Sequence, residues 1–166
     1  MPMRISLIDG AFALTEDPFT AVSDDWAIPQ GDVIISLTRF QAEGDRLLSE
    51  GRKVGVRLEA DEEVEALAYD LPRLSVVALV FPKFGDGRAY SYAALLRERF
   101  NYQGEIRAVG DVLREQAGFM VRCGFDAFEP ADGSTLDVWE RAAHRFRHAY
   151  QRSVDGRPVA FEERGG

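Results

Sequence analysis

Short apolar runs alternate with amphipathic segments along the chain from Asp32 onward. Runs of this length that are rich in β-branched and aromatic side chains are typical of buried strands. We therefore predict strands over residues 33–37, 53–58, 74–81, 105–109 and 125–128. Between them, apolar side chains recur every three or four residues, which is typical of helices with one buried face. These segments predict helices over residues 39–50, 61–71, 90–100, 111–122 and 135–150.

Alternating strands and helices favour parallel strands that are joined by right-handed crossovers. We therefore predict a single α/β domain with a mainly parallel sheet, either an open sheet or a half-barrel. A complete eight-fold barrel requires at least about 200 residues, and this chain has 166. Both geometries place functional loops beyond the carboxyl ends of the strands.

The two ends of the chain lack this regular pattern. Prolines interrupt residues 1–31, although residues 4–8 have the composition of a short strand. We interpret 1–31 as an irregular arm or hairpin packed on the main domain, and 32–150 as the α/β domain. Residues 151–166 are polar and contain Gly and Pro, which indicates a flexible tail.

The loop after the 74–81 run carries the clearest functional signal. This run has no polar alternation, which indicates a central strand covered on both faces. Beyond it, Lys83 and Arg88 supply cationic donors and Asp86 supplies an acceptor. Ser91 lies in the first turn of the next predicted helix, where N–H groups favour an anion. We predict an anion-binding or catalytic loop; the alternative is a tight turn in which Asp86 only caps the helix.

A second candidate loop follows the 105–109 strand. Arg107 lies within that strand, and a buried, unpaired guanidinium is costly, so it requires either a carboxylate or a ligand. Asp111 is a suitable N-cap for the next helix, and we favour that role over catalysis. If the two strands are neighbours, Arg107 and Asp111 would converge with Lys83 and Asp86 at one edge of the sheet.

Charge and composition narrow the class of partner. The net charge is −8, which repels nucleic acid and anionic membrane surfaces at long range. Residues 83–122 are locally basic, with seven Lys or Arg against five Asp or Glu. This contrast indicates a small anionic ligand or a docked protein partner. No segment is a candidate signal peptide or membrane helix, so we expect a cytoplasmic protein.

Cofactor and metal motifs are absent from the sequence. The Gly85-Asp86-Gly87 segment lacks the third glycine of a dinucleotide fingerprint, because Tyr90 stands in its place. His144 and His148 are one helical turn apart, and we interpret them as a solvated face rather than a metal site. Cys123 is the one cysteine of the chain, and we interpret it as a small, unreactive hydrophobic residue, with redox activity as the alternative. We therefore expect neither a bound cofactor nor a metal.

Four stretches of this sequence resemble the bacterial domain-of-unknown-function family 934. They are FPKFGDGRAYS at 81–91, LLR at 95–97, GEIRAVGDVL at 104–113 and RCGF at 122–125. The resemblance covers roughly residues 54–150, and the first and third stretches are its most specific parts. Glu115 stands where the family often has Asp, which preserves the charge.

The resemblance implies a role in assimilatory sulfur metabolism, since members of this family are often encoded beside sulfite reductase. We therefore expect an accessory protein of sulfite reduction with sulfite reductase as its partner, and an accessory subunit of that oxidoreductase is one form of this role. The alternative is an independent small-molecule enzyme or binder in which Lys83, Arg88 and Arg107 hold an oxyanion. Neither the resemblance nor the residues define a catalytic mechanism.

Overall fold

A computed structural model describes residues 3–83, 87–131 and 135–141 of the chain. The described residues form one mixed, mostly parallel sheet of eight strands in the order β2-β1-β8-β7-β6-β5-β4-β3. The strands are β1 (Met3–Ile8), β2 (Ala11–Glu16), β3 (Phe19–Ala21), β4 (Asp32–Ser36), β5 (Val54–Leu58), β6 (Val76–Phe81), β7 (Glu105–Gly110) and β8 (Ala127–Phe128).

The parallel part of the sheet runs from β3 to β8, with β6 beside β5 and β7. The five predicted strands correspond to β4 to β8, with small differences at their ends. The predicted α/β class and mainly parallel sheet are confirmed, and the sheet has the strongly curled, open form of a half-barrel.

The N-terminal region extends this sheet at both edges. Strands β1 and β2 form an antiparallel hairpin that joins the sheet through β8, whereas β3 pairs with β4 at the opposite edge. Residues 3–21, which the sequence indicated as part of an irregular arm or hairpin, therefore contain three strands of the sheet. The main-domain pattern from Asp32 onward did not reveal this pairing.

The strong curl of the sheet follows from the link between its two edge strands. Strand β2 ends at Glu16 and β3 begins at Phe19, so only Asp17 and Pro18 lie between them. Extended residues span at most about 3.6 Å each, so these two strand ends lie within roughly 11 Å of each other. The two edges of the sheet therefore approach one another and enclose an inner face.

The opposite, outer face of the sheet carries the main core. There, strand residues such as Val56, Leu79 and Ile106 pack with Phe40 and Leu96 from the helices. The inner face has a smaller apolar cluster made of Phe19, Ile34, Val76 and Ala78, with Val109 packed against it. The central strands are therefore covered on both faces, as their continuous apolar sequence predicted.

The helices are α1 (Leu37–Ser49), α2 (Arg88–Ala94) and α3 (Ala117–Cys123). Ser36 caps α1 by accepting a hydrogen bond from the Arg39 N–H at 3.2 Å. Helix α2 continues into a π-helical turn, Leu95–Arg99, whose Arg97 donates to the carbonyls of Tyr102, Gly104 and Gly124. Arg97 thereby connects α2 to the loop before β7 and to the end of α3.

Two helix predictions are wrong in type or extent. Residues 61–71 do not form an α-helix but two 3₁₀ turns, Val64–Leu67 and Leu71–Arg73. The i, i+3 spacing of Val64 and Leu67 satisfies the three-residue period of a 3₁₀ turn, and Pro72 opens the second turn. Asp61 is not an N-cap, because Glu63 precedes the first turn.

The predicted helix over 111–122 begins later than expected. Leu113 is extended, a 3₁₀ turn follows at Arg114–Gln116, and α3 begins only at Ala117. The last predicted helix is present from 136 to 141, where Trp139 is fully buried against Phe12 and Phe128. Its continuation to 150, the His144–His148 pair and the tail over 151–166 lie outside the described residues.

Candidate functional site at the carboxyl ends of β6 and β7

The ends of β6 and β7 lie side by side, as the sequence required for a shared site. Phe81, the last residue of β6, is in register with Gly110, the last residue of β7. Gly110 has a φ of +86°, and a Cβ at this position would lie 2.6 Å from the Phe81 carbonyl oxygen. The Asp111 N–H donates to that same carbonyl at 2.9 Å. A glycine at residue 110 thus permits the close contact that positions the next residue, Asp111.

A cavity of about 210 Å³ opens at this edge, between the strand ends, helix α2 and the segment that precedes α3. Its apolar walls include Phe81, Leu113 and the ring of Tyr90, and its polar side chains are Asp111 and Gln116. The remaining lining residues are Pro82, Gly87 and Ala89. Both sequence stretches on which the family resemblance mainly rests, 81–91 and 104–113, therefore contribute to one cavity.

Aromatic rings order one wall of this cavity. The Tyr90 ring packs edge-on against Phe81, with centroids 5.1 Å apart, and is tilted against Phe119, with centroids 4.6 Å apart. The Tyr90 hydroxyl donates to Oε1 of Gln116 at 2.6 Å, which links α2 to the turn before α3. Phe119 is 48% exposed, so an apolar surface continues outward from the cavity.

Asp111 is half-buried at the cavity and does not cap a helix. The cap prediction is wrong because α3 begins six residues later, and the N–H groups next to Asp111 bond elsewhere. The Asp111 N–H donates a hydrogen bond to the Phe81 carbonyl, and the Val112 N–H donates one to the Gly110 carbonyl at 2.8 Å. Within the described part of the chain, no group donates a hydrogen bond to the Asp111 carboxylate or forms an ion pair with it.

The other residues predicted for this edge do not line the cavity. Lys83 is exposed at the end of β6. Arg88 is exposed in the first turn of α2, where its guanidinium donates to the Ala60 carbonyl at 3.1 Å. Ser91 is exposed and borders a separate shallow depression with Glu98. Asp86 lies outside the described residues.

Arg107 lies on the inner face of the sheet, away from the cavity. Its guanidinium is 1% exposed and contacts three carboxylates, from Asp17, Glu105 and Glu129. The bonds to Asp17 are bidentate, at 2.7 and 3.1 Å, and those to Glu105 and Glu129 are 2.7 and 2.9 Å. Of the two alternatives left by the sequence, a carboxylate or a ligand, the fold provides carboxylates.

The charge of Arg107 is stabilised by these partners. Burial alone lowers the pKa of Arg107, but the hydrogen bonds that it donates to Asp17 and the negative charge of Glu105 outweigh burial and raise the pKa above its ordinary value. Arg4 adds a second cation, 3.1 Å from Glu105. We call Arg4, Asp17, Glu105, Arg107 and Glu129 the inner charge cluster. Because Asp17 belongs to the β2–β3 link, the cluster connects β7 to the place where the edges of the sheet approach each other.

Sequence reasoning missed most partners in this cluster, although one signal was present. Glu105 precedes Arg107 by two residues, so the two side chains share one face of β7. Asp17 is 90 positions away, and only the curl of the sheet brings it to Arg107.

Other candidate chemistry in the described residues is limited. Cys123 is half-buried, and burial raises the pKa of its thiol. Across residues 3–83, 87–131 and 135–141, no three His, Cys, Asp or Glu side chains are grouped as metal ligands. No helix in this part of the chain has the length and apolar character needed to cross a membrane.

The fold and the cavity define an α/β half-barrel with a small site at the carboxyl ends of its central strands. A family model described as "Bacterial protein of unknown function (DUF934)" matches residues 55–161. The chain therefore belongs to the DUF934 family, as the sequence resemblance indicated. No curated protein matches the chain.

Proposed function

We propose that this protein is an accessory protein of assimilatory sulfite reduction and acts with sulfite reductase. The proposal rests on membership of the DUF934 family, together with the pathway that the sequence resemblance implies. The structural observation that supports a common family site is the meeting of two stretches, 81–91 and 104–113, at one cavity. From these two stretches, the side chains of Phe81, Tyr90, Asp111 and Leu113 line the cavity together.

The proposed role is assistance to the reductase rather than electron carriage by this chain's thiol. Cys123 is the one cysteine in the sequence, and it is half-buried. Burial raises the pKa of this thiol, which disfavours the reactive thiolate. The edge between α2 and α3, with its cavity and the exposed ring of Phe119, is the surface we assign to the partner.

Growth of a deletion strain tests the pathway. A strain that lacks this protein is expected to grow poorly on sulfate or sulfite as the sulfur source, and normally on sulfide or cysteine. Re-expression of the wild-type protein should restore growth on sulfate. Normal growth of the deletion strain on sulfate and sulfite would overturn the proposal, and so would a defect that sulfide does not relieve.

Association with the reductase is tested separately. Tagged wild-type protein should retain sulfite reductase from an extract of its own cells, and Phe119→Ser should retain less. Tyr69→Ser is the matched control, because Tyr69 is an aromatic residue that is 88% exposed and borders a different depression, with Asp70 and Arg73. Equal retention by both variants would contradict the assigned surface, and failure of the wild-type protein to retain the reductase would contradict the partnership.

A direct oxyanion-binding role was the alternative prediction from the sequence. Its three cations do not share the cavity, and Arg107 is bound by carboxylates on the inner face. A thermal-shift titration with sulfite, sulfate and phosphate measures this alternative directly. A ligand at 100 times its dissociation constant would stabilise the protein by about 2.7 kcal/mol.

A further inference from the structure

The carboxylate of Asp111 is the charged group of the described cavity lining, and the fold gives it no compensating partner. It is half-buried, and no donor or cation among the described residues contacts it. Among the described residues, the carboxylates of Asp17 and Glu105 also have little exposure, and both are paired with Arg107. Partial burial of an unpaired charge is unfavourable, so a partner that arrives with a ligand would relieve this cost.

The residues around Asp111 indicate which chemical groups such a ligand has. Phe81, Leu113 and Tyr90 present apolar and aromatic surface beside the carboxylate. Gln116 accepts a hydrogen bond from Tyr90 through Oε1, which orients its amide nitrogen as a donor. Aromatic rings next to a carboxylate favour a cationic nitrogen, through ion pairing and through the negative faces of the rings.

We propose that this cavity binds an alkylammonium or guanidinium group on a short apolar stem, with Asp111 as its counter-ion. The volume of about 210 Å³ suits a small group rather than a drug-sized molecule, for which cavities of about 300 Å³ or more are usual. The stem lies along Phe81 and Leu113, and the charged head contacts Asp111. This site takes the opposite charge from the oxyanion that the sequence favoured, and it is independent of the proposed pathway.

Two sources could supply the alkylammonium or guanidinium group: a free amine, or a Lys or Arg side chain of a partner protein. The net charge of −8 attracts both at long range. The two sources differ in what surrounds the stem, since a side chain also brings peptide groups that contact the rim near Phe119.

The first experiment compares n-butylamine with n-butanol, which has a stem of the same length but no charge. Each is titrated into ¹⁵N-labelled protein while amide chemical shifts are recorded. We expect n-butylamine to shift the amides of Asp111, Leu113 and Gln116 in a saturable manner, and n-butanol to bind at least tenfold more weakly. Equal binding of both probes, or no saturable shift with n-butylamine, would overturn the proposal. This comparison requires no variant.

The second experiment removes the counter-ion. Asp111→Asn should weaken n-butylamine binding at least tenfold, while Glu115→Gln should change it less than twofold. Glu115 is the matched control, because it is a nearby exposed acid that does not line the cavity. Equal loss in both variants would reduce the effect to net charge and would overturn a site at Asp111.

The third experiment separates the two sources with N-acetyl-lysine N-methylamide and N-acetyl-arginine N-methylamide. Tighter binding of either peptide-like probe than of n-butylamine assigns the site to a partner side chain. Tighter binding of n-butylamine assigns it to a free amine. Binding of none of the three probes contradicts the proposal.

Discussion

Two regions of this half-barrel contain a charged side chain in a partly or fully buried position, and they differ in the partners of that side chain. On the inner face, Arg107 is 1% exposed and contacts three carboxylates. At the edge of β6 and β7, Asp111 is half-buried beside a cavity and has no such partner among the described residues. Burial of a charged residue therefore does not by itself indicate a functional site. What distinguishes the two regions is whether the fold supplies the counter-charge.

The inner charge cluster has a structural role that the topology explains. Asp17 lies in the link between β2 and β3, where the two edges of the sheet approach each other. Its bidentate contact with Arg107 therefore fixes this link to a central strand. The ring of Phe19 lies 6.0 Å from the guanidinium and covers it.

The largest loss of stability is expected from Arg107→Met. This change leaves Asp17 and Glu105, which are 11% and 17% exposed, without their main cation. Breaking a buried pair on one side costs about 3–5 kcal/mol, and urea unfolding should show a loss of that size. Arg107→Lys should lose less, since it keeps the charge. A loss below about 1 kcal/mol for Arg107→Met would mean that the cluster does not stabilise the fold.

The second-largest loss of stability is expected from Gly110→Ala, which alters the backbone at the edge of the cavity and not its charge. Gly110→Ala places a Cβ 2.6 Å from the Phe81 carbonyl and forces an alanine to a φ of +86°. We expect a loss of roughly 2–3 kcal/mol from strain and the shifted strand end. Gly51→Ala is the matched control, because Gly51 also has a positive φ but nothing lies within 4 Å of its Cβ position. Equal losses in both variants would show that the contact with Phe81 has no importance.

A smaller effect is expected from Asp17→Asn, which keeps the shape of the side chain and removes its charge. The cost should be about 1–2 kcal/mol, because one neutral acceptor replaces a bidentate ionic contact. Glu129→Gln is the control on the same guanidinium. Glu129 is 43% exposed, so its ion pair is screened and its loss should stay below about 1 kcal/mol. The reverse order of these two values would contradict the proposed role of the β2–β3 link.

Several features of the fold could be predicted from local sequence. The five apolar runs became β4 to β8, because a continuous apolar run of this length is buried in any plausible packing. The pairing of β1 with β8 and of β3 with β4 could not be predicted, since it depends on contacts between distant residues. The 3₁₀ turns at Val64 and Leu71 were missed because their apolar spacing fits both a 3₁₀ and an α-helical period.

The two loops predicted to meet at one edge of the sheet do lie side by side, but only some of the residues predicted with them line the cavity there. The register of Phe81 with Gly110 brings the two predicted loops together. Arg107 precedes Asp111 by four residues, so the sequence predicted that both would lie at one edge of the sheet. The side chain of Arg107 nevertheless lies on the inner face, where Asp17 holds it. Asp111 was assigned to a helix cap, since a sequence does not reveal that Leu113 is extended and delays the helix.

The most direct test of the contrast between the two regions is the unfolding free energy of Asp111→Asn in urea. If the fold leaves the Asp111 carboxylate uncompensated, removing its charge should change the stability by no more than about 0.5 kcal/mol, or raise it slightly. A loss of 2 kcal/mol or more would mean that the carboxylate has a structural partner. Asp111 would then belong with Arg107, and the contrast between the two regions would fail.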